Sequence, residues 1–153
     1  MAAYKKKPSR KTEPDSGKNI SRNISDHYYS EHPAWAFVDI DQEQWAFSKD
    51  AIGEAFWTEI LPLLRNLETQ TWQEILIKSS KQHHAIDVRN LNQIAISRLN
   101  ELHIEAESII SLRASATHRV YGYMDGHIFN ILWYDRNHGD NDSCVCRSKK
   151  KHT

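Results

Sequence analysis

The chain lacks the features that mark several protein classes. No uncharged apolar run approaches the roughly 20 residues that a transmembrane helix needs, and no apolar stretch follows Met1 as a signal peptide would require. We therefore expect a cytoplasmic protein with no membrane partner. Two cysteines cannot form a disulfide scaffold. Gly-rich phosphate loops, nucleophile elbows and kinase signatures are also missing, so the classes that depend on them find no support.

Aromatic residues and charges are what the chain does contain. Five Trp, six Tyr and four Phe supply bulk for one core. Residues 1–33 carry seven Lys/Arg against four Asp/Glu, residues 34–135 eight against fourteen, and residues 136–153 five against two. We predict a disordered basic tail at 1–33, a single domain at 34–138 and a basic tail at 139–153. Such tails either solubilise a protein or contact nucleic-acid phosphates.

The N-terminal half of the body has the pattern of a strand followed by a helix. Residues 34–47 begin as a strand whose two faces are both apolar, which is typical of a buried strand. An apolar stripe at helical spacing runs over Ile52–Leu67. Because Pro62 removes a backbone donor, this helix is predicted to kink or end near Leu61.

Two further helices are predicted in the middle of the chain. Thr71-Trp72-Gln73-Glu74 has the capping-box spacing and opens a short helix. Residues 78–84 are polar and are interpreted as a loop. A third helix is predicted from about Val88, capped by Asp87 or Asn90.

The C-terminal half changes to the period of strands. Ser108–Arg113, His118–Met124 and His127–Tyr134 are predicted strands, and Asp125-Gly126 favours a type I′ turn between the last two. The predicted fold class is therefore α+β: an N-terminal strand, two to three helices, and a C-terminal three-stranded antiparallel meander packed on the helices.

The predicted turn also predicts which residues share a face of the hairpin. One face is apolar and should cover the helices; it carries Val120, Phe129, Ile131 and Trp133. The opposite face is then an outer one and carries Arg113, Arg119, Tyr121 and Tyr123. Arginine and tyrosine on the outer face of a short sheet suggest a functional surface.

The residues around this hairpin resemble the RelE/ParE-type bacterial toxin superfamily. The match rests on Ile109–Arg113, His118–Tyr123, the Asp-Gly turn and Ile128–Tyr134 before His138, and it covers about residues 34–138. The resemblance implies a strand, one to three helices and an antiparallel sheet, with an antitoxin protein as partner. Many members cut messenger RNA on the ribosome, and the ParE branch acts on gyrase. A long insertion and two tails depart from the pattern.

Metal-independent RNA cleavage needs a base, a proton donor for the leaving oxygen, and cations on the phosphate. On this hypothesis Arg113 and Arg119 hold the phosphate, and His138 or His118 moves protons. The candidate catalytic set is Arg113, Arg119, Tyr121 and His138, and the candidate RNA contacts are Tyr123, Lys149, Lys150 and Lys151. No cofactor is expected. The alternative is structural: Arg119 pairs with a helix carboxylate and the tyrosines cover the sheet.

Two details of the C-terminal region have structural alternatives of their own. Asp135 and His138 are interpreted as a pair that stabilises the chain where it leaves the strand, ahead of a catalytic dyad. His138, Cys144, Cys146 and His152 place four N or S donors within 15 residues. The Cys-x-Cys spacing is tight for zinc ribbons, so reduced cysteines without metal are the expectation.

Two other functions stay open beside the toxin-like endoribonuclease. The first is a non-enzymatic protein-interaction module that uses the sheet face or an edge strand. The second is a single-stranded nucleic-acid binder that uses aromatic residues and the basic tails.

Overall fold

A computed structural model describes residues 28–139 and 144–146. They build a five-stranded mixed sheet of order β1-β5-β4-β3-β2, in which the β1–β5 pair is parallel and the other neighbours are antiparallel. The strands are β1 (Ala34–Ala36), β2 (His83–Asp87), β3 (Ser108–Arg113), β4 (Arg119–Asp125) and β5 (Ile128–Asp135). Among the described residues, helices of a length and apolar character that would cross a membrane are absent.

Within the described residues, three α-helices and shorter helical segments flank the sheet. The α-helices are α1 (Lys49–Ile52), α2 (Leu61–Glu68) and α3 (Gln93–Glu101); the shorter segments are two π-helical ones, Phe56–Ile60 and Glu74–Lys78, and a 3₁₀ turn, Val88–Asn90. The first π-helical segment runs directly into α2, and the hydrogen-bond pattern changes one residue before Pro62. A change of pattern there accommodates the backbone donor that proline lacks.

The predicted capping box is confirmed. The backbone N–H of Thr71 donates to Glu74 Oε1 at 2.9 Å, and the backbone N–H of Glu74 donates to Thr71 Oγ1 at 3.3 Å. This reciprocal pair satisfies two donors that a helix start leaves without partners.

Both faces of the sheet are covered by apolar residues. The core between the sheet and the first helices contains Ile60, Leu64, Leu67, Trp72, Ile75, Ile110, Leu112, Val120, Phe129 and Ile131. The core on the opposite face contains Leu91, Ala95, Leu99, Ile109, Tyr121, Tyr123, Leu132, Trp133 and Val145. Helix α3 and the segment Cys144–Cys146 therefore bury the face that the sequence predicts to be an outer one.

The predicted fold class is wrong. The predicted meander accounts for three of the five strands; β2 adds a fourth along one edge and β1 pairs parallel to β5 along the other. Strand β2 lies where a loop and a helix start were predicted, because its exposed His84 and Ala85 give it no apolar alternation. Helix α3 begins at Gln93, capped by Asn92, whose side chain accepts a hydrogen bond from the Ile94 backbone at 2.8 Å.

The hairpin register also differs from the prediction. Asp125 pairs with Ile128, so the turn residues are Gly126 and His127, and Gly126 has a φ of 65°. A hairpin turn with a positive φ at its first central residue favours glycine there. The predicted Asp-Gly turn is thus displaced by one residue.

A β-bulge then changes which residues share a face. Gly122 pairs with Ile131 and Tyr121 pairs with Trp133, which leaves Leu132 as the extra residue of β5. Trp133 therefore packs with Tyr121 rather than with Val120, and its predicted place in the helix-facing core is wrong.

Candidate functional site at one end of the sheet

The ends of four strands meet at one end of the sheet, which we call the sheet end and define by His83, Arg113, Arg119 and Asp135. Arg113 pairs with Arg119 across β3 and β4, and Arg119 pairs with Asp135 across β4 and β5. His83 lies at the start of β2, where its Nδ1 accepts a hydrogen bond from the Arg113 backbone N–H at 3.1 Å. Burial, together with the positive charges of its neighbours, lowers the pKa of His83 to about 4.

The two predicted phosphate-binding arginines have different environments. Arg113 is exposed. Arg119 is 8% exposed, and its Nη1 donates to the carbonyl oxygen of Ser115 at 2.7 Å and to those of His118 and Ala116 at 3.1 and 3.2 Å. The expectation that Arg119 lies on an outer face is wrong, and so is the alternative in which it pairs with a helix carboxylate: it holds the β3–β4 connection.

Neither predicted tyrosine lies on an outer face. Tyr121 is 0% exposed and Tyr123 is 5% exposed. The Tyr123 hydroxyl donates to Asp39 Oδ2 at 2.5 Å. A base can stack only on an accessible ring face. Burial therefore leaves neither Tyr121 nor Tyr123 a ring face for RNA in this structure.

In the part of the chain that the structure describes, no hydrogen bond joins the Asp135 and His138 side chains. The Asp135 carboxylate accepts hydrogen bonds from the backbone N–H groups of Asn137 and Val145, both at 2.8 Å. It therefore fastens the chain where it leaves β5. The His138 backbone N–H donates to the carbonyl of Thr117 at 3.0 Å, and its Nδ1 faces the thiols of Cys144 and Cys146. Lys149, Lys150, Lys151 and His152 lie outside the described residues.

At the sheet end, on the face covered by the first helices, lies a cluster centred on His118. His118 Nδ1 lies 2.5 Å from Glu59 Oε1 and 2.9 Å from the Tyr134 hydroxyl. The His118 side chain is 16% exposed and that of Glu59 31%. Within residues 28–139 and 144–146, the His118 Nε2 makes no hydrogen bond. We call Glu59, His118, Tyr134 and Arg136 the His118 cluster.

Arg136 supplies the cation of this cluster. It is exposed, and its Nη1 donates to the carbonyl of Ala51 at 3.3 Å. Burial raises the pKa of Tyr134, an effect that Arg136 opposes and Glu59 reinforces, so the three side chains share one environment. A carboxylate in contact with an imidazole, with a cation in the same cluster, is an arrangement suited to proton transfer at a phosphate.

Sequence reasoning named His118 as an alternative proton carrier but missed Glu59, Tyr134 and Arg136. One signal was present for the first of these. Glu59 lies between Phe56 and Ile60 in the apolar stripe, where an acidic side chain has to find a polar partner when the helix packs.

Comparisons of the chain with protein-family models, with curated proteins and with solved structures find no match.

Proposed function

We propose that this chain is a cytoplasmic, toxin-like endoribonuclease that cleaves RNA at the His118 cluster without a metal. The single observation that carries the proposal is the Glu59–His118 contact of 2.5 Å at the sheet end, with the Tyr134 hydroxyl 2.9 Å from the same imidazole nitrogen. The resemblance of the hairpin to RelE/ParE-type toxins supports RNA as the substrate.

The chemistry assigned to the cluster is the internal transfer that RNA permits. The 2′-oxygen attacks the adjacent phosphorus, the bond to the 5′-oxygen breaks, and the products are a 2′,3′-cyclic phosphate and a 5′-hydroxyl. His118 takes the proton of the 2′-hydroxyl through Nε2, because Nδ1 faces Glu59 and the Tyr134 hydroxyl, and the imidazolium then gives this proton to the departing 5′-oxygen. Glu59 stabilises the imidazolium that forms. Arg136 neutralises the phosphate charge that develops in the transition state.

Arg113 and Arg119 belong to the opposite face of the sheet, and each has a supporting role in the proposed reaction. Arg113 is exposed beside the β3–β4 connection and contacts the phosphates that flank the scissile bond. Arg119 orders that connection, to which His118 belongs, through three carbonyl oxygens. The role of Arg119 is thus to position His118.

The test uses the full chain and an end-labelled single-stranded RNA in the presence of EDTA. We expect cleavage with a cyclic-phosphate product. His118→Asn should lower the rate at least about 100-fold, the lower limit for loss of a general base. Arg136→Ala should weaken RNA binding about tenfold to a hundredfold, as expected for a charge-assisted contact.

Two matched variants control for loss of charge or imidazole elsewhere. Arg65→Ala removes an exposed arginine of α2, and His127→Asn removes a histidine at the hairpin turn, the opposite end of β4 and β5. Both should cleave like the wild type. Wild-type protein that neither binds nor cleaves RNA would overturn the proposal, as would a His118→Asn variant that is folded and fully active.

The edge strand β2 supports a second candidate function, a protein-interaction module. Among the described residues its strand neighbour is β3 alone, so its other edge can accept a strand from a partner such as an antitoxin. Binding of a partner protein by a chain without RNA activity would favour this function. Replacing Ala85 by proline removes a backbone donor of β2 and should then weaken that binding.

A further inference from the structure

Three side chains with metal-binding atoms converge beside the end of β5. The Sγ atoms of Cys144 and Cys146 are 2.7 Å apart, and His138 Nδ1 lies 3.7 Å from Cys146 Sγ and 3.9 Å from Cys144 Sγ. These three atoms lie within 4.8 Å of one another. We propose that His138, Cys144 and Cys146 bind one zinc ion that fastens the segment Cys144–Cys146 to the end of β5.

The distances between the histidine and the thiols fit one tetrahedral ion. With zinc–sulfur bonds near 2.3 Å and zinc–nitrogen bonds of about 2.0–2.1 Å, ligand atoms stand roughly 3.5–3.8 Å apart. The nitrogen–sulfur distances of 3.7 and 3.9 Å are close to this range. The two sulfur atoms need to separate by about 1 Å, which small rotations about the Cα–Cβ bonds of the cysteines supply.

The backbone around the cysteines is held independently of any metal. The Asn92 backbone N–H donates to the Val145 carbonyl at 2.8 Å, and the Asn92 side chain donates to the Cys144 carbonyl at 3.2 Å. Leu91 and Cys146 form an antiparallel bridge, and the Val145 N–H donates to Asp135. The ligands therefore project from anchored chain, as a preorganised site requires.

The donor set selects the metal. Two thiolates and one imidazole are soft or borderline ligands, which suit zinc and exclude the oxygen-preferring Mg²⁺ and Ca²⁺. Two thiolates also neutralise the charge of Zn²⁺, so the ion can be accommodated beside Cys144, which is fully buried. Three protein ligands leave one tetrahedral position for a further ligand.

Tyr121 gives the proposed site a neighbouring donor. Its hydroxyl is buried near Cys146 and Ser111. Within the described residues, this hydroxyl makes no hydrogen bond. Metal binding requires the cysteines as thiolates. A thiolate at Cys146 would give the Tyr121 hydroxyl an acceptor, and such outer hydrogen bonds are a regular part of metal sites.

The test begins with the full chain, reduced and stripped of metal, then titrated with Co²⁺ and with Zn²⁺. We expect one ion per chain, and a sulfur-to-cobalt charge-transfer band that zinc abolishes. Cys146→Ser should lose about half of the band intensity, and His138→Asn should weaken zinc binding at least about tenfold. His103→Asn is the matched control, because His103 is an exposed histidine whose φ of 58° asparagine tolerates. It should bind metal like the wild type.

Two results would overturn the proposal. The first is wild-type protein with both thiols titratable and no charge-transfer band on addition of cobalt. The second is a folded Cys146→Ser variant whose cobalt spectrum equals that of the wild type. The wild-type spectrum alone decides the matter if the variants do not fold. Failure here leaves the RNA proposal intact, since His118 and Glu59 are not ligands.

Discussion

Arg113 and Arg119 are direct cross-strand partners, yet the first is exposed and the second is 8% exposed. Like charges directly opposite each other destabilise an antiparallel pair. Burial, with a further contribution from Arg113, holds the pKa of Arg119 below its ordinary value. The three carbonyl oxygens that accept from Arg119 Nη1 offset this cost, and they tie the guanidinium to residues 115–118.

Because their environments differ, we expect substitutions of the two arginines to have different effects on stability and on RNA binding. Arg119→Ala should lower the free energy of unfolding by about 2 kcal/mol, because it removes a charged donor from three carbonyl oxygens. Arg113→Ala should change it by less than about 0.5 kcal/mol but weaken RNA binding roughly tenfold. Urea unfolding and RNA titration of both variants check this. Equal losses of stability would contradict the assigned roles.

Gly122 provides a test of the bulged register. A Cβ at this position would collide with the carbonyl oxygen of Asn130 and lie 2.7 Å from the Phe129 ring. Gly122→Ala should therefore destabilise the protein by roughly 1–3 kcal/mol, as overpacking does. Ser108→Ala, at the start of β3, should be close to neutral. A Gly122→Ala variant as stable as the wild type in urea would show that β4 and β5 do not pair as described.

Local chemistry was predictable from sequence, and pairing between distant segments was not. The capping box at Thr71 and Glu74 depends on residues three apart and is confirmed. The sequence of β2 shows no apolar alternation. This strand forms by pairing with β3, which supplies the apolar residues. The burial of Tyr121 depends on α3 and Val145, which lie far from it in the chain. The contact of Glu59 with His118 likewise forms only after the sheet and helices pack.

Glu59 should act as a positioning residue. Glu59→Gln keeps the size of the side chain but removes the charge that stabilises a protonated His118. If the RNA proposal holds, kcat should fall about tenfold while KM stays near its wild-type value, since binding depends on the arginines. A loss in kcat without a change in KM is a result that a purely structural role would not produce. Unchanged kcat in folded Glu59→Gln would contradict the role.

Asp41 anchors the loop after β1 and should matter for stability alone. Its carboxylate is buried and accepts from Arg98 Nε at 2.8 Å and from Trp133 Nε1 at 2.9 Å. Asp41→Ala should cost about 1–3 kcal/mol, because the buried Trp133 Nε1–H loses its acceptor, while Arg98 keeps Glu101 as a partner. Glu43→Ala is the control: Glu43 pairs with the same arginine at 3.4 Å but its side chain is 81% exposed, so the loss should stay under about 1 kcal/mol.

The same carboxylate predicts a loss of stability in acid. Burial alone would raise the pKa of Asp41, but the hydrogen bonds from Arg98, Trp133 and the backbone outweigh burial and hold it below its ordinary value of 3.8. A lowered folded-state pKa gives stability that is present above pH 3.8 and lost as the pH falls through the folded-state value.

His83 should make stability depend on pH in a higher window. Its folded-state pKa of about 4 lies below the ordinary value of 6.5, so the unfolded chain takes up a proton that the folded chain refuses. Stability should therefore be complete above pH 6.5 and decline as the pH falls toward 4, by at most about 3 kcal/mol. Urea unfolding at intervals between pH 8 and pH 4 measures this slope.

His83→Gln keeps an acceptor for the Arg113 backbone N–H and should flatten the slope, whereas the exposed His103→Asn should retain it. Equal slopes in the wild type and His83→Gln would show that His83 is protonated in the folded state, and would remove it from the buried end of β2.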